Sequence, residues 1–98
     1  MQKSSYDINP ELARTVIKIL SNSNRYDLMN LLLSAKRDFC VNELSEKIGI
    51  SQSATSHQLA YLEAYGVIRS IRMGKEKCYL PSNTPLTKKL AKVIKSLK

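Results

Sequence analysis

Ninety-eight residues, 43% of them hydrophobic, make one domain with a single core and leave little chain for a separate catalytic domain or lid. No apolar stretch approaches the length of a bilayer crossing, and the N-terminal MQKSSYDINP lacks the apolar core of a secretory leader, so a cytoplasmic protein with no membrane partner is expected. The formal charge of +8 points to a polyanionic partner, while two widely separated cysteines fit neither a metal knuckle nor a disulfide-rich scaffold.

Asn9-Pro10-Glu11 reads as a helix start, with Asn9 as cap, Pro10 at the first helical position and an acid in the first turn. Leu12, Val16, Ile19 and Leu20 then recur on one face. The polar run SNSN interrupts, and a second helix from Arg25 to about Ser34 is apolar on most sides through Leu28, Met29, Leu31, Leu32 and Leu33, which makes it central to the core. Phe39-Cys40-Val41 is too short for a helix and reads as a connector or brief strand. Asn42 is expected to cap a third helix, Glu43 to Ile48, closed by Gly49 in a left-handed position. Ser51 is expected to cap a fourth helix running to about Tyr65 and stopped by Gly66. Two helices around the tight turn at Gly49-Ile50 give a helix-turn-helix.

Val67 to Arg72 and Glu76 to Leu80 flank Met73-Gly74-Lys75, and their β-branched and aromatic content predicts a hairpin with a basic tip. Thr84-Pro85 opens a last helix with Leu86, Leu90, Val93, Ile94 and Leu97 along one stripe. The charge is concentrated here. Residues 66–98 hold Arg69, Arg72, Lys75, Lys77, Lys88, Lys89, Lys92, Lys95 and Lys98 against Glu76 alone, and so supply the whole basic excess. Such a patch suits nucleic acid or an anionic membrane surface.

The run SQSATSHQLAYL, Ser51 to Leu62, chooses between them. It holds three serines and the chain's one histidine at the start of the second helix of the helix-turn-helix, the part that enters the DNA major groove. Gln52, Ser53, Thr55, Ser56 and His57 are the expected groove residues: Gln pairs with adenine through two hydrogen bonds, Ser and Thr bond bases or phosphates, and the Thr methyl touches thymine. Ala54, Leu59 and Leu62 are expected to face the core. Double-stranded DNA is the expected partner; a plain surface helix with a serine cap is the alternative.

The segment NELSEKIGISQSATSHQLAYLEAYGVIRSIRMGKEKCYL resembles the winged-helix core of the ArsR/SmtB family of small dimeric repressors, through Ser51, Ser53, Ser56, His57, Leu59, Gly66, Val67 and Ile68. LSNSNRYDLMNLLL is similar to that family's second-helix pattern, and the likeness runs from about Val16 to Leu80. The resemblance implies a mainly α fold with a small β-hairpin, a winged helix-turn-helix of about five helices and a two-stranded wing. It also implies backbone contacts from Arg72 and Lys75, and a homodimer joined through Leu12, Val16 and Ile19 of the first helix and Leu86, Leu90, Val93 and Leu97 of the last. A two-fold dimer would bind an inverted repeat.

The ligand sites of that family match poorly. One lies on the last helix and uses Asp, His and Glu, none of which occurs after Cys78. Another uses a C-V-C-D-L run, which here is Cys40-Val41-Asn42-Glu43-Leu44 and lacks the second sulfur. No metal site and no cofactor are expected, and the effector is open. In a winged helix the segment around Cys40 can pair with the strand around Cys78, so a redox disulfide stands beside the reading of both cysteines as small apolar fillers; one residue of register slip separates the two. A homodimeric repressor is the reading preferred over a constitutive regulator without ligand and over a protein-interaction module. An enzyme is not expected, because His57 has no cysteine or acid near it in sequence and no phosphate loop or paired-carboxylate motif occurs.

Overall fold

The helices begin where a side chain accepts from an otherwise unpaired first-turn amide, or where a proline has no amide proton to satisfy. The computed structural model describes residues 10–35 and 37–98, so the Asn9 cap lies outside the described residues. Helix α1 (Pro10–Leu20) starts on its proline. In α2 (Ser23–Ser34) the Asn22 side chain accepts from the Arg25 amide at 3.1 Å, which places the start two residues before Arg25. Strand β1 (Phe39–Cys40) leads directly into α3 (Val41–Ile48). Asn42 is not the cap of α3: the helix begins one residue earlier, with Cys40 in the cap position and the Glu43 carboxylate reaching back to accept from the Cys40 amide at 3.2 Å. That reciprocal use of Glu43 is available only if Cys40 is the cap.

Gly49 ends α3 with φ +84, and its amide donates to the Ser45 carbonyl at 2.8 Å. The chain then turns into α4 (Gln52–Ala64), capped by the Ser51 hydroxyl on the Ala54 amide at 3.0 Å. Strands β2 (Ile68–Met73) and β3 (Glu76–Pro81) pair antiparallel, with Met73 opposite Glu76, so the turn is Gly74-Lys75. Gly74 has φ +66, the left-handed backbone that two-residue hairpin turns require. The last helix, α5 (Pro85–Ser96), starts on Pro85 with the Thr84 hydroxyl accepting from the Thr87 amide.

The sheet has three strands in the order β1-β3-β2. The β1–β3 pairing, antiparallel, puts Phe39 opposite Tyr79 and Cys40 opposite Cys78, the register in which both sulfurs lie on one face. The core gathers Ile19 from α1, Leu28, Met29 and Leu32 from α2, Leu44 from α3, Leu59 and Leu62 from α4, and Leu90 and Ile94 from α5. The central place expected for the second helix is found. Thr87, buried at the start of α5, donates to the Val67 carbonyl at 3.4 Å and ties the last helix to the root of the wing.

Part of the expected dimer stripe is used up inside the protomer. Val16, Ile19 and Leu90 are buried in the core of the single chain, because the stripe of each terminal helix is first needed to close the domain. Leu12, Leu86 and Val93 are half-buried, whereas Leu97 is 63% exposed, and Ile17, passed over by the periodicity, is 67% exposed. Leu62 of α4 is fully buried in the core. Leu62→Ala is expected to cost about 2–5 kcal/mol, read as a lowered urea midpoint with an unchanged slope.

Candidate nucleic-acid interface

The helical repeat sorts the polar start of α4 into two sides. Gln52, Ser53, Ser56 and His57 are all exposed. Thr55 is not: it is 0% exposed, and its hydroxyl donates to the Ser51 carbonyl at 2.8 Å. Its place among the groove residues is therefore corrected. It lies four residues before Leu59, so helix geometry puts it on the inward stripe, and the hydroxyl is satisfied by the backbone of the preceding turn. Ala54, expected to face inward, is half-buried.

Two side chains given no role in the sequence reading hold α4 in place. The Arg25 guanidinium donates to the Lys18 and Ile19 carbonyls at the end of α1, each at 3.0 Å, and to Gln58 Oε1 on α4 at 3.1 Å. It also lies 3.9 Å from the centroid of the Tyr61 ring, so the corner between α1 and α2 grips the recognition helix through one cation. Further along, Glu63 accepts from the Ser70 hydroxyl at 3.0 Å and lies 4.0 Å from Lys77 Nζ, linking α4 to both strands of the wing. The partners are 33 residues apart for Arg25 and Gln58. Only the folded register brings them together, and no local motif announces them.

Arg72 and Lys75 are exposed on the wing, as are Arg69 and Lys77. Arg72 and Lys77 are directly opposed across β2 and β3. Like charges in that arrangement repel, a cost that a phosphate between them would remove. Glu63 offsets Lys77 in part, at an exposed distance where a salt bridge contributes little.

At the other edge of β3, Cys40 and Cys78 are joined as a disulfide with their Cα atoms 3.8 Å apart; Cys78 is buried and Cys40 half-buried. Arg37 lies over the Phe39 ring at 3.9 Å and hydrogen-bonds Glu43 at 2.9 Å. That contact raises the Arg37 pKa, and with the Cys40 amide it holds the Glu43 carboxyl below the usual carboxylate range. Asp38, half-buried, completes the corner.

Residues 22–70 match the model of the bacterial regulatory protein, arsR family. The chain belongs to the ArsR family. Its relative in Halobacterium salinarum under the provisional name arsenical resistance operon repressor ArsR2 is 32% identical over 69 residues, 70% of this chain and 58% of that protein. A second relative from that organism, provisionally named arsenical resistance operon repressor ArsR, is 34% identical over 64 residues, and this chain spans only half of its length. The transcriptional activator HlyU of Vibrio cholerae is 29% identical over 84 residues, 86% of this chain and 76% of that protein. Among solved structures, the transcriptional repressor BigR of Xylella fastidiosa superposes with a TM-score of 0.82 at 27% identity, covering 99% of this chain and 93% of that one. The winged helix-turn-helix expected from the resemblance is thus the fold, with β1 added to the two-stranded wing. These relatives are named as transcriptional regulators, not enzymes.

A pH dependence follows from the Glu43 contact. Its pKa is lower folded than unfolded, so its stabilisation is complete above the ordinary glutamate range and is lost as pH falls through the lowered value. Between about pH 5 and pH 3 the urea midpoint of Glu43→Gln is expected to fall less steeply than that of the parent. Parallel curves would exclude Glu43 as a source of acid sensitivity.

Proposed function

We propose that this ArsR-family chain is a cytoplasmic homodimeric repressor that occupies an inverted-repeat operator in double-stranded DNA, with the Cys40–Cys78 pair setting its affinity. The observation that carries the DNA reading is the exposed row Gln52, Ser53, Ser56 and His57 at the N-terminal end of α4, held beside a basic wing. In a major groove, Gln52 would pair with adenine, the serines and His57 would bond base edges or phosphates, and Arg72, Lys75 and Lys77 would neutralise backbone charge. Among the described residues no helix is long and apolar enough to cross a membrane.

The dimer is supported by the exposed Ile17 and Leu97, on α1 and just beyond α5, two helices that pack together. Covering them with a second copy would join the protomers through the terminal helices, and an isologous pair would read two half-sites about one helical turn apart.

For the switch, two thiols give up two electrons and two protons to a hydroperoxide, which leaves as water and an alcohol, and one S–S bond forms between β1 and β3. The bond fixes the wing to the start of α3. A wing held in place loses less freedom on binding, so the oxidised form is the tighter binder.

Selection of bound sequences from a random duplex pool at near-physiological salt is expected to enrich an inverted repeat carrying two chains; salt-sensitive binding without enrichment would overturn the operator reading. On that operator, Ser56→Ala and His57→Ala each lose about 1–3 kcal/mol of discrimination, whereas Thr55→Val leaves sequence preference unchanged. Lys75→Ala weakens all duplexes alike and lowers the salt slope by about 1. Equal affinity of the disulfide and dithiol forms would remove the switch and leave a regulator governed by its own abundance.

A further inference from the structure

Asp38, Cys40 and Cys78 place a carboxylate oxygen and two sulfurs within 4.8 Å of one another. Extended chain explains why. Asp38 and Cys40 are two residues apart on the run into and through β1, a spacing that turns both side chains to the same side, and Cys78 is the residue directly across the sheet from Cys40. Three donors of metal-binding chemistry therefore converge on one face, between the helix-turn-helix and the wing. This donor set differs from the two-cysteine run sought in the sequence: position 42 is Asn42, and the second sulfur comes instead from β3.

We infer that, once the disulfide is reduced, Asp38, Cys40 and Cys78 bind one thiophilic divalent cation of the zinc and cadmium class, and that the disulfide and the bound cation are alternative states of the same two sulfurs. Thiolates select soft and borderline ions and discriminate against magnesium and calcium, which require oxygen ligands. Two sulfurs and one carboxylate fill three positions of a tetrahedron. The half-buried Asp38 and Cys40 leave the fourth open to water, while the fully buried Cys78 anchors the base of the site.

Charge favours the same ion. Two thiolates and a carboxylate carry three negative charges, and a divalent cation leaves one. Cys40 sits at the N-terminal end of α3, where the helix favours the thiolate. Among the described residues, two cations of this corner are engaged elsewhere: Arg37 is hydrogen-bonded to Glu43 and lies over Phe39, and Lys77, one residue before Cys78 and so on the other side of the sheet, reaches Glu63.

Electrons balance through named reactants. A dithiol supplies two electrons and two protons to the disulfide and becomes a disulfide itself; the cation then displaces the two thiol protons on binding. Reoxidation by a hydroperoxide consumes the sulfur electron pairs that held the ion, which is released. The inference rests on the proposed function only in that the pair opens to two thiols, and it does not depend on DNA binding.

The test is an anaerobic titration of the full chain with cadmium chloride after reduction by a phosphine, following thiolate-to-cadmium charge-transfer absorbance, with zinc as competitor. One equivalent per chain is expected for the reduced protein, and no charge-transfer band for the disulfide form. Cys40→Ser and Cys78→Ser abolish tight binding; Asp38→Asn keeps the band and weakens affinity by about tenfold or more. Circular dichroism shows which variants are folded, and if Cys78→Ser is not, the half-buried Cys40 and Asp38 positions carry the test. A reduced chain that binds no cadmium, a full band in a folded single-cysteine variant, or one ion shared by the sulfurs of two chains would overturn the inference. Duplex binding measured on the same samples separates the two readings. Selective DNA binding without a cadmium band defeats the site alone, and stoichiometric cadmium without selective DNA binding defeats the regulator alone.

Discussion

Where the wing stands relative to the recognition helix depends on the register of β1 on β3. Two residues of strand are a weak element by themselves, yet this pair is continuous with the first turn of α3, so the hydrogen bonds that seat β1 also seat the helix-turn-helix against the sheet. A shift by one residue would turn Phe39 out of the core and separate Cys40 from Cys78 onto opposite faces. Burial of Phe39 and Tyr79 opposes that shift, and the covalent link forbids it. The opposite side of the wing is held by Glu63, which meets Ser70 on β2 and Lys77 on β3. One strand edge and one carboxylate thus define the angle at which a basic hairpin is presented next to α4.

Much of this was legible in the sequence because it is local. Ser51, Thr84 and the prolines at residues 10 and 85 carry their helix-starting chemistry in their own side chains, and Gly49 and Gly74 mark backbone that other residues avoid; the Asn22 cap was missed, and with it the first two residues of α2. The leucine spacing in α2 announced a helix buried on most sides, and the serine-rich start of α4 announced a polar face. What failed was also local in origin. A threonine among serines looked like one more groove residue, but Thr55 lies on the inward stripe; Asn42 is a better cap by type than Cys40, yet Glu43 supplies the missing bond. Counting apolar residues on the terminal helices could not separate those that close the domain from those left outside it, because both follow the same period.

The long-range contacts were illegible for a different reason. Arg25 with Gln58, Glu63 with Ser70, and Cys40 with Cys78 each depend on where two elements settle, and pairwise chemistry in one chain offers many equivalent partners. Only the last pair was foreshadowed, since a winged helix offers few strands for the segment before its third helix to meet.

Arg25 has a consequence for how much of a duplex one protomer can inspect. By engaging Gln58 it withdraws the next long polar side chain of α4 from the surface that ends at His57. The free face, Gln52, Ser53, Ser56 and His57, then falls within a six-residue span, roughly 9 Å of helix at 1.5 Å per residue. At about 3.4 Å per base-pair step that length covers roughly three base pairs. A reading head this short cannot address a single locus by itself, so in the proposed homodimer selectivity would have to come from repetition and spacing, with two such heads set a fixed distance apart.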